Sequence, residues 1–404
     1  MKEITGGVCA PQGFVAGGVH CGIRRNHAKK DLAIVLSQAP CAAAAVYTRN
    51  KVYGAPITVT RNHIAGGQAR AVICNSGNAN TCNHDGVEKA VRTCQMVGEA
   101  LGIDPRDVII ASTGVIGQPI DLAPIEKGIG MLKDALSPEG ALDAAQAIMT
   151  TDLKVKQMAV EVEVGGKAVR LGAMAKGSGM IRPNMATMLS FITTDCAISA
   201  PMLDKALHQV VEDTYNMVSV DGDTSTNDMV SIMANGLAGN APIREEGPDF
   251  DAFCQGLCLI AAHMARMIAA DGEGATKLLE CQVSGAPDKG VARGVAKSIV
   301  MSSLVKAAMF GADANWGRVL CAIGYTPGEF DIHTIGVTLR SAAGQVEVCR
   351  AGFGVPFSEE TAKKVLLEKE IQILVDMGQG TAAATAWGCD LTYDYVKING
   401  DYRT

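Results

Sequence analysis

Three predicted strands follow one another in the stretch AVEVEVGGKAVRLGAMAKGSGMIRPNMATMLSFITTD, residues 159–195. Its first part alternates apolar and polar residues on both sides of Gly165-Gly166, which predicts a β-hairpin with a tight turn. A glycine-containing loop over 177–184 follows, and Pro183 interrupts regular structure there. The run TMLSFITTD then predicts a buried strand. We therefore expect three strands in succession, with a loop before the third.

Strands and helices alternate on both sides of this stretch. In the first half, DLAIVLS, RAVICNSGNAN and DVIIASTGVIG predict buried strands, and helices are predicted over 86–101, within 121–150 (two helices), near 201–217 and over 249–270. From residue 277 onward the pattern predicts the strand KLLECQV, a helix near 292–310, strands near 330–350 and a helix from about Ser358. These elements predict an α/β (α+β) chain with a main domain over 1–276 and a smaller C-terminal α/β domain over 277–404.

The composition excludes several classes of function. The chain has 404 residues, of which 48% are hydrophobic and only 4% aromatic, so aliphatic side chains must fill its core. The net charge is −6, and basic clusters such as Arg24-Arg25 are short, so we expect no nucleic-acid partner. No run of 18 uncharged apolar residues is evident, and the N-terminus lacks an apolar signal segment, so we expect neither a membrane span nor secretion.

Cysteine and histidine usage points to the cytoplasm. The thirteen cysteines are scattered and form no CxxC pair, which favours reduced thiols in a cytoplasmic protein over disulfides. The seven histidines are dispersed, and no zinc-binding motif is present. We therefore expect no metal site.

The bond between Ala186 and Thr187 lies where the loop meets the third strand. A threonine hydroxyl is a poor nucleophile unless a base is near, and the residue's own α-amino group, with a pKa of about 7.7–8.0, can be that base. That chemistry requires a cut before Thr187, and a loop followed by a rigid strand suits self-cleavage. On local pattern alone, the alternative is an ordinary β-forming threonine at the start of a strand.

Further motifs lie along the whole chain in a fixed order. They are STGVIG (112–117), TTD (150–152), KGSGMIRPNMATML (176–189), SVDGDTSTND (219–228), DGEGATK (271–277), GADANWGR (311–318) and YDYVKINGDYRT (393–404). Together they resemble the ornithine acetyltransferase family, also called the ArgJ family of arginine biosynthesis. The resemblance implies a layered α/β/β/α DmpA/ArgJ-like fold.

The resemblance also implies roles for individual residues. The precursor would cleave itself between Ala186 and Thr187, and the resulting chains 1–186 and 187–404 would stay associated, with two copies of each. Thr187 would be the new N-terminus and the nucleophile, while Thr113 and Gly114 would stabilise the oxyanion. The implied substrate-binding residues are Thr150, Lys176, Thr187, Glu273, Asn399 and Thr404. Without the resemblance, these residues would pass for helix ends, solvated charges and a frayed terminus.

The implied reaction moves an acetyl group from N-acetylornithine to Thr187 and then to glutamate, without a cofactor. Some members of the family also accept acetyl-CoA as donor, and no residue in this sequence shows whether the chain does so. Two alternatives remain at this point. One is a related self-processing aminopeptidase or amidohydrolase that gives the acyl group to water. The other is an unprocessed protein that only binds a small molecule.

Overall fold

A computed structural model of the chain describes residues 1–182 and 188–401. Within these two ranges the strands are β1 Lys2–Ile4, β2 Phe14–Val19, β3 Leu32–Tyr47, β4 Gln68–Asn78, β5 Val108–Val115, β6 Lys156–Val164, β7 Lys167–Lys176, β8 Leu189–Thr194, β9 Val218–Ser219, β10 Met229–Ala234, β11 Leu278–Ala286, β12 Gly336–Ser341, β13 Gly344–Arg350, β14 Phe353–Gly354, β15 Glu370–Asp376 and β16 Ala382–Cys389. The helices are α1 Ala55–His63, α2 Gly86–Leu101, α3 Leu122–Ala135, α4 Ala141–Ala147, α5 Ala200–Asp213, α6 Pro248–Ala270, α7 Lys289–Met301, α8 Ser303–Phe310, α9 Trp316–Gly324, α10 Glu359–Leu366 and α11 Tyr393–Gly400.

The described strands form two mixed sheets. The first has the order β1-β6-β7-β8-β10-β3-β4-β5, with β2 also paired to β3. The second has the order β14-β13-β12-β15-β11-β16-β9. In the first sheet β8 runs parallel to β10 and β4 runs parallel to β5, and the remaining pairs are antiparallel.

Strand β3 joins the two halves of the first sheet. Its first part, from Leu32 to Leu36, pairs with β2 and β4, and its second part, from Ala42 to Tyr47, pairs with β10. Successive side chains of a strand point to opposite faces. Ile34 accordingly packs with apolar residues of α1, α2 and α3, whereas the neighbouring Val35 packs towards β8 and β10.

The same alternation arranges the other half of this sheet. Phe191 of β8 and Met233 of β10 belong to the cluster that contains Val35. Ile192 and Ile232 point the other way and pack with residues of α5 and α6. The first sheet is therefore folded so that its two halves face each other, with helices outside both. This is the helix–sheet–sheet–helix layering that the family resemblance implies, and the predicted fold class is confirmed.

Helix α6 lies against both sheets, in contact with β6, β7 and β16. Within residues 1–182 and 188–401, it is the one helix long and apolar enough to cross a membrane, with a hydropathy of 1.4 and half of its apolar window buried. Its buried face belongs to the largest hydrophobic cluster, which includes residues of both sheets. We interpret α6 as a core helix.

The division into domains 1–276 and 277–404 stays a prediction. Strand β9, which precedes residue 276, pairs with β16, which follows it.

Two helix predictions need correction. The helix near 201–217 ends at Asp213, because Thr214 leaves the helical region with φ −126° and ψ −89°. The helix near 292–310 is two helices that meet at Ser302, whose hydroxyl accepts a hydrogen bond from the N–H of Val305 at 3.3 Å and caps the second one. The hairpin at Gly165-Gly166 is confirmed, since both glycines have positive φ values, 56° and 72°, as a two-residue turn requires.

Candidate active site

Several strand ends converge in the first sheet, and they bring the predicted site residues together. Lys176, the last residue of β7, pairs with Leu189, the first residue of β8. Leu189 also pairs with Met229, the first residue of β10. The far ends of β4 and β5, which carry Gly77 and Gly114, are paired with each other. The side chain of Lys176 connects the two groups of strand ends, because its Nζ donates a hydrogen bond to Thr113 Oγ1 at 3.3 Å.

Gly114 sits where a side chain cannot be accommodated. Its φ is +133°, a conformation that favours glycine. A Cβ atom at Gly114 would lie 2.3 Å from the carbonyl carbon of Gly77 and 2.5 Å from the nitrogen of Asn78. The Thr113 hydroxyl next to it accepts from Lys176, so its own proton can be donated elsewhere. A backbone N–H at glycine and a neighbouring hydroxyl are the donors that an oxyanion hole needs.

Replacing Gly114 with alanine is expected to lower kcat about 100-fold, since the added methyl group would push the ends of β4 and β5 apart and displace the backbone N–H that is predicted to bind the oxyanion. Gly117→Ala is the matched control. Gly117 also has a positive φ, 79°, but nothing lies within 4 Å of its ideal Cβ position. Steady-state kinetics on both variants checks the prediction, and equal losses of kcat would show that backbone strain alone is responsible.

Lys176 is buried, and this burial lowers the pKa of its ammonium group. The negative charge of Asp152 opposes that effect, and the positive charge of Lys156 adds to it. A cation held in a site largely shielded from water attracts a carboxylate more strongly than an exposed lysine does. Lys176 is therefore well placed to bind an anionic group of a substrate beside Thr113.

A buried ion triad supports this region. Lys156 Nζ lies 2.7 Å from Asp152 Oδ1 and 2.6 Å from Asp271 Oδ2, and the lysine side chain is completely buried. Asp152 also accepts the backbone N–H of Gly177 at 2.7 Å and that of Thr150 at 2.9 Å. Burial is the largest single influence on the Asp152 carboxyl group, and it acts to raise the pKa. The positive charges of Lys176 and Lys156 together outweigh burial and hold the pKa of Asp152 well below its usual value. The triad thus ties the segments that carry Thr150 and Lys176 to the end of α6.

Glu273 and Asn399 are in direct contact. Asn399 Nδ2 donates to Glu273 Oε2 at 2.8 Å, which brings the exposed helix α11 to the site. The backbone N–H of Glu273 donates to the carbonyl of Ser178 at 2.9 Å. A Cβ atom at Gly179 would lie 2.3 Å from Glu273 Oε2, so the carboxylate occupies space that only glycine leaves open. Glu273 therefore faces the loop that follows Lys176.

The described part of that loop is held by Asp221. Its carboxylate accepts the backbone N–H groups of Met180 at 2.6 Å and Ile181 at 2.9 Å. The Thr224 hydroxyl adds a hydrogen bond to the carbonyl of Arg182 at 2.9 Å. On the C-terminal side of the Ala186–Thr187 bond in the sequence, the carbonyl of Met188 accepts from the N–H of Met229 at 2.9 Å. Both flanks of the predicted cleavage bond are thus fixed to the segment 219–229.

Two polar residues before β10 complete the surroundings. Asn227 Nδ2 donates to the carbonyls of Ala79, at 2.5 Å, and Ser112, at 2.9 Å, and so holds the ends of β4 and β5 together. Asp228 is buried, and burial raises the pKa of its carboxyl group well above its usual value. Within the described residues its Oδ2 has no hydrogen-bond partner. A carboxyl group in this state favours its protonated form, which limits the negative charge beside Lys176.

The structure brings six predicted site residues into one region: Thr113, Gly114, Thr150, Lys176, Glu273 and Asn399. Ala186, Thr187 and Thr404 lie outside the described residues. Sequence reasoning missed the support given by Asp152, Lys156 and Asp271. The two aspartates occur in the motifs TTD and DGEG. They lie more than 100 positions apart, and no local pattern shows that both bind Lys156.

Comparisons with known proteins identify related chains. The model of the ArgJ family matches residues 15–404. A Symbiobacterium thermophilum protein described as arginine biosynthesis bifunctional protein ArgJ is 52% identical, with 100% of both chains covered. A Bacillus subtilis protein with the same description is 46% identical, covering 100% of this chain and 98% of its own length. A solved ArgJ chain from Bacillus halodurans has a TM-score of 0.51 and 47% identity, and it covers 54% of this chain and 100% of its own.

Proposed function

The chain belongs to the ArgJ family, the acetyltransferases of arginine biosynthesis, and from this premise we propose how its residues divide the work. The enzyme cleaves itself between Ala186 and Thr187 and then uses Thr187 to carry an acetyl group from N-acetylornithine to glutamate. The observation that carries this proposal is the contact between Lys176 and Thr113. This contact supports the proposal because Lys176 pairs with Leu189, which lies two residues after Thr187 in the sequence. Thr113 and the neighbouring Gly114 are the oxyanion donors that we propose.

In the first half-reaction, the Thr187 hydroxyl oxygen forms a bond to the acetyl carbon of N-acetylornithine. The α-amino group of Thr187 takes the hydroxyl proton and gives it to the departing ornithine amine as the amide C–N bond breaks. Thr113 and Gly114 stabilise the negative charge that develops on the carbonyl oxygen. In the second half-reaction, the glutamate amine attacks the acetyl ester, and the proton returns to Thr187. The products are ornithine and N-acetylglutamate.

Substrate recognition follows from the charges of the site. Lys176 binds a carboxylate of the amino-acid substrate, and Glu273 binds an ammonium group of ornithine. Asn399 orients the Glu273 carboxylate through its 2.8 Å hydrogen bond. Thr150 and Thr404 contribute polar contacts. The two amino acids share the same α-amino-acid frame, so one pocket accepts them in turn.

The size of a solved relative supports the cut. Chain 187–404 would make up slightly more than half of the precursor, and the solved Bacillus halodurans chain covers 54% of this chain while matching along its whole length. We further propose that the two fragments assemble as two copies of each, and that the enzyme acts in the cytoplasm. Since the relatives are described as bifunctional, we include acetyl-CoA as a second acetyl donor, with no bound cofactor.

One experiment separates the acetyltransferase from a related hydrolase. The enzyme is given N-acetylornithine with and without glutamate, and free acetate, ornithine and N-acetylglutamate are measured. We expect N-acetylglutamate to form with glutamate present, and ornithine release to stop after about one turnover when glutamate is absent, because the acetyl ester is shielded from water. Sustained release of acetate without glutamate would instead identify an amidohydrolase.

A further inference from the structure

Residues 20–31, HCGIRRNHAKKD, form a surface loop that we call the cationic loop. It carries Arg24, Arg25, Lys29 and Lys30 as well as two histidines, and Asp31 is its only acidic residue. The chain as a whole has a net charge of −6, so the loop is opposite in charge to the chain as a whole. Arg25 and Lys29 are exposed. Such a surface favours anionic ligands.

Asp31 does not balance the charge at the loop surface. Its carboxylate is completely buried and accepts the backbone N–H groups of Cys21 at 2.7 Å, Gly22 at 3.2 Å and Arg24 at 3.0 Å. It also lies 3.1 Å from His20 Nδ1. The buried carboxylate thus fixes the backbone conformation of the loop through these hydrogen bonds. Lys30 does pair with Asp143, so the outward positive charge rests mainly on Arg25 and Lys29.

The cationic loop borders the candidate active site on two sides. Arg24 Nη2 donates to the carbonyl of Met149, and Lys29 Nζ lies 3.5 Å from the carbonyl of Thr150. The side chain of Arg24 also covers Gly77, where an ideal Cβ would lie 2.9 Å from Arg24 Cγ. Gly77 is the strand partner of Gly114. The cationic loop is therefore in contact with the Thr150 segment and with the strand partner of Gly114.

We propose that the cationic loop binds the phosphate groups of acetyl-CoA while the acetyl thioester reaches Thr113 and Gly114. The inference rests on the proposed function, which includes acetyl-CoA as a donor. The phosphates of CoA carry several negative charges, and arginine and lysine are the side chains that bind phosphate. In the transfer step the thioester C–S bond breaks, the CoA thiol leaves with the Thr187 hydroxyl proton, and the same acetyl ester forms. N-acetylornithine has no phosphate and does not need the loop.

The test uses the Arg25→Gln/Lys29→Gln double variant, which keeps Arg24 and its bond to Met149. We expect the KM for acetyl-CoA to rise about tenfold, corresponding to the loss of about 1.4 kcal/mol of binding. The KM values for N-acetylornithine and glutamate should change less than about twofold. The control, Lys363→Gln/Lys364→Gln, removes the same charge from the exposed face of α10 and should leave all three KM values unchanged. Calorimetric binding of CoA provides an independent readout.

Each other outcome overturns the inference in a recognisable way. An unchanged KM for acetyl-CoA would show that the phosphates bind elsewhere. A raised KM for glutamate alone would assign the loop to the side-chain carboxylate of the acceptor. A wild-type enzyme that exchanges acetyl between N-acetylornithine and glutamate, but neither uses acetyl-CoA nor binds CoA, would refute the loop assignment and leave the exchange reaction intact. Failure with both donors would refute the proposed function itself.

Discussion

Lys156→Met is expected to reduce the free energy of unfolding by about 3–5 kcal/mol, the usual cost of removing one partner from a buried ion pair. The variant leaves the carboxylates of Asp152 and Asp271 without their cation in a region where Lys156 is completely buried. Methionine has a similar length but offers no charge and no hydrogen-bond donor. Urea denaturation of wild type and variant, compared at the same pH, measures the loss.

The same variant should also lose activity. Asp152 positions the backbone of Gly177 and Thr150 as well as binding Lys156, so its displacement should raise the KM for N-acetylornithine in the fraction that stays folded. The control is Lys205→Met, which removes the partly exposed pair of Lys205 with Glu246. Exposed pairs contribute at most about 1 kcal/mol, so this variant should behave almost like wild type. Similar losses in both variants would contradict the role given to the triad.

Thr187→Ala is expected to remain a single chain without measurable acetyl transfer, because it removes the hydroxyl needed for both self-cleavage and acetyl acceptance. Thr187→Ser should keep part of both activities, since a hydroxyl and, after cleavage, an amine are still present. Intact-mass measurement follows the cut, and the glutamate-dependent formation of ornithine follows the transfer. Cleavage of Thr187→Ala at the same bond would assign the cut to an external protease and remove the basis of the mechanism.

Much of the fold could be predicted from local pattern. The hairpin at Gly165-Gly166 follows from strand alternation and two glycines, which act within a few residues. The length and position of β3 could not be predicted in this way. Its two halves pair with different neighbours, and only the packing of three separate hydrophobic clusters shows that the sheet folds into two layers.

In the candidate site, too, some residues could be predicted from the sequence and others could not. Motif resemblance named Thr113, Lys176 and Glu273, and the structure places these residues around a common group of strand ends. Lys156, which helps to hold them, lies in none of the motifs, and the motif 219–228 does not show what Asn227 contacts. Asp271, a partner of Lys156, and Ser112, a partner of Asn227, lie more than 100 positions away in the chain, so these contacts depend on tertiary structure that a local pattern does not record.

In the proposed mechanism, Thr187 becomes an N-terminal residue and carries the acetyl group. The most direct measurement is mass spectrometry of the purified enzyme after brief exposure to N-acetylornithine without glutamate, with peptide mapping of the acetylated site. We expect a fragment that begins at Thr187 and has gained one acetyl group on that residue, and we expect glutamate to remove the group. A single unprocessed chain, or a stable acetyl group on any other residue, would contradict this mechanism.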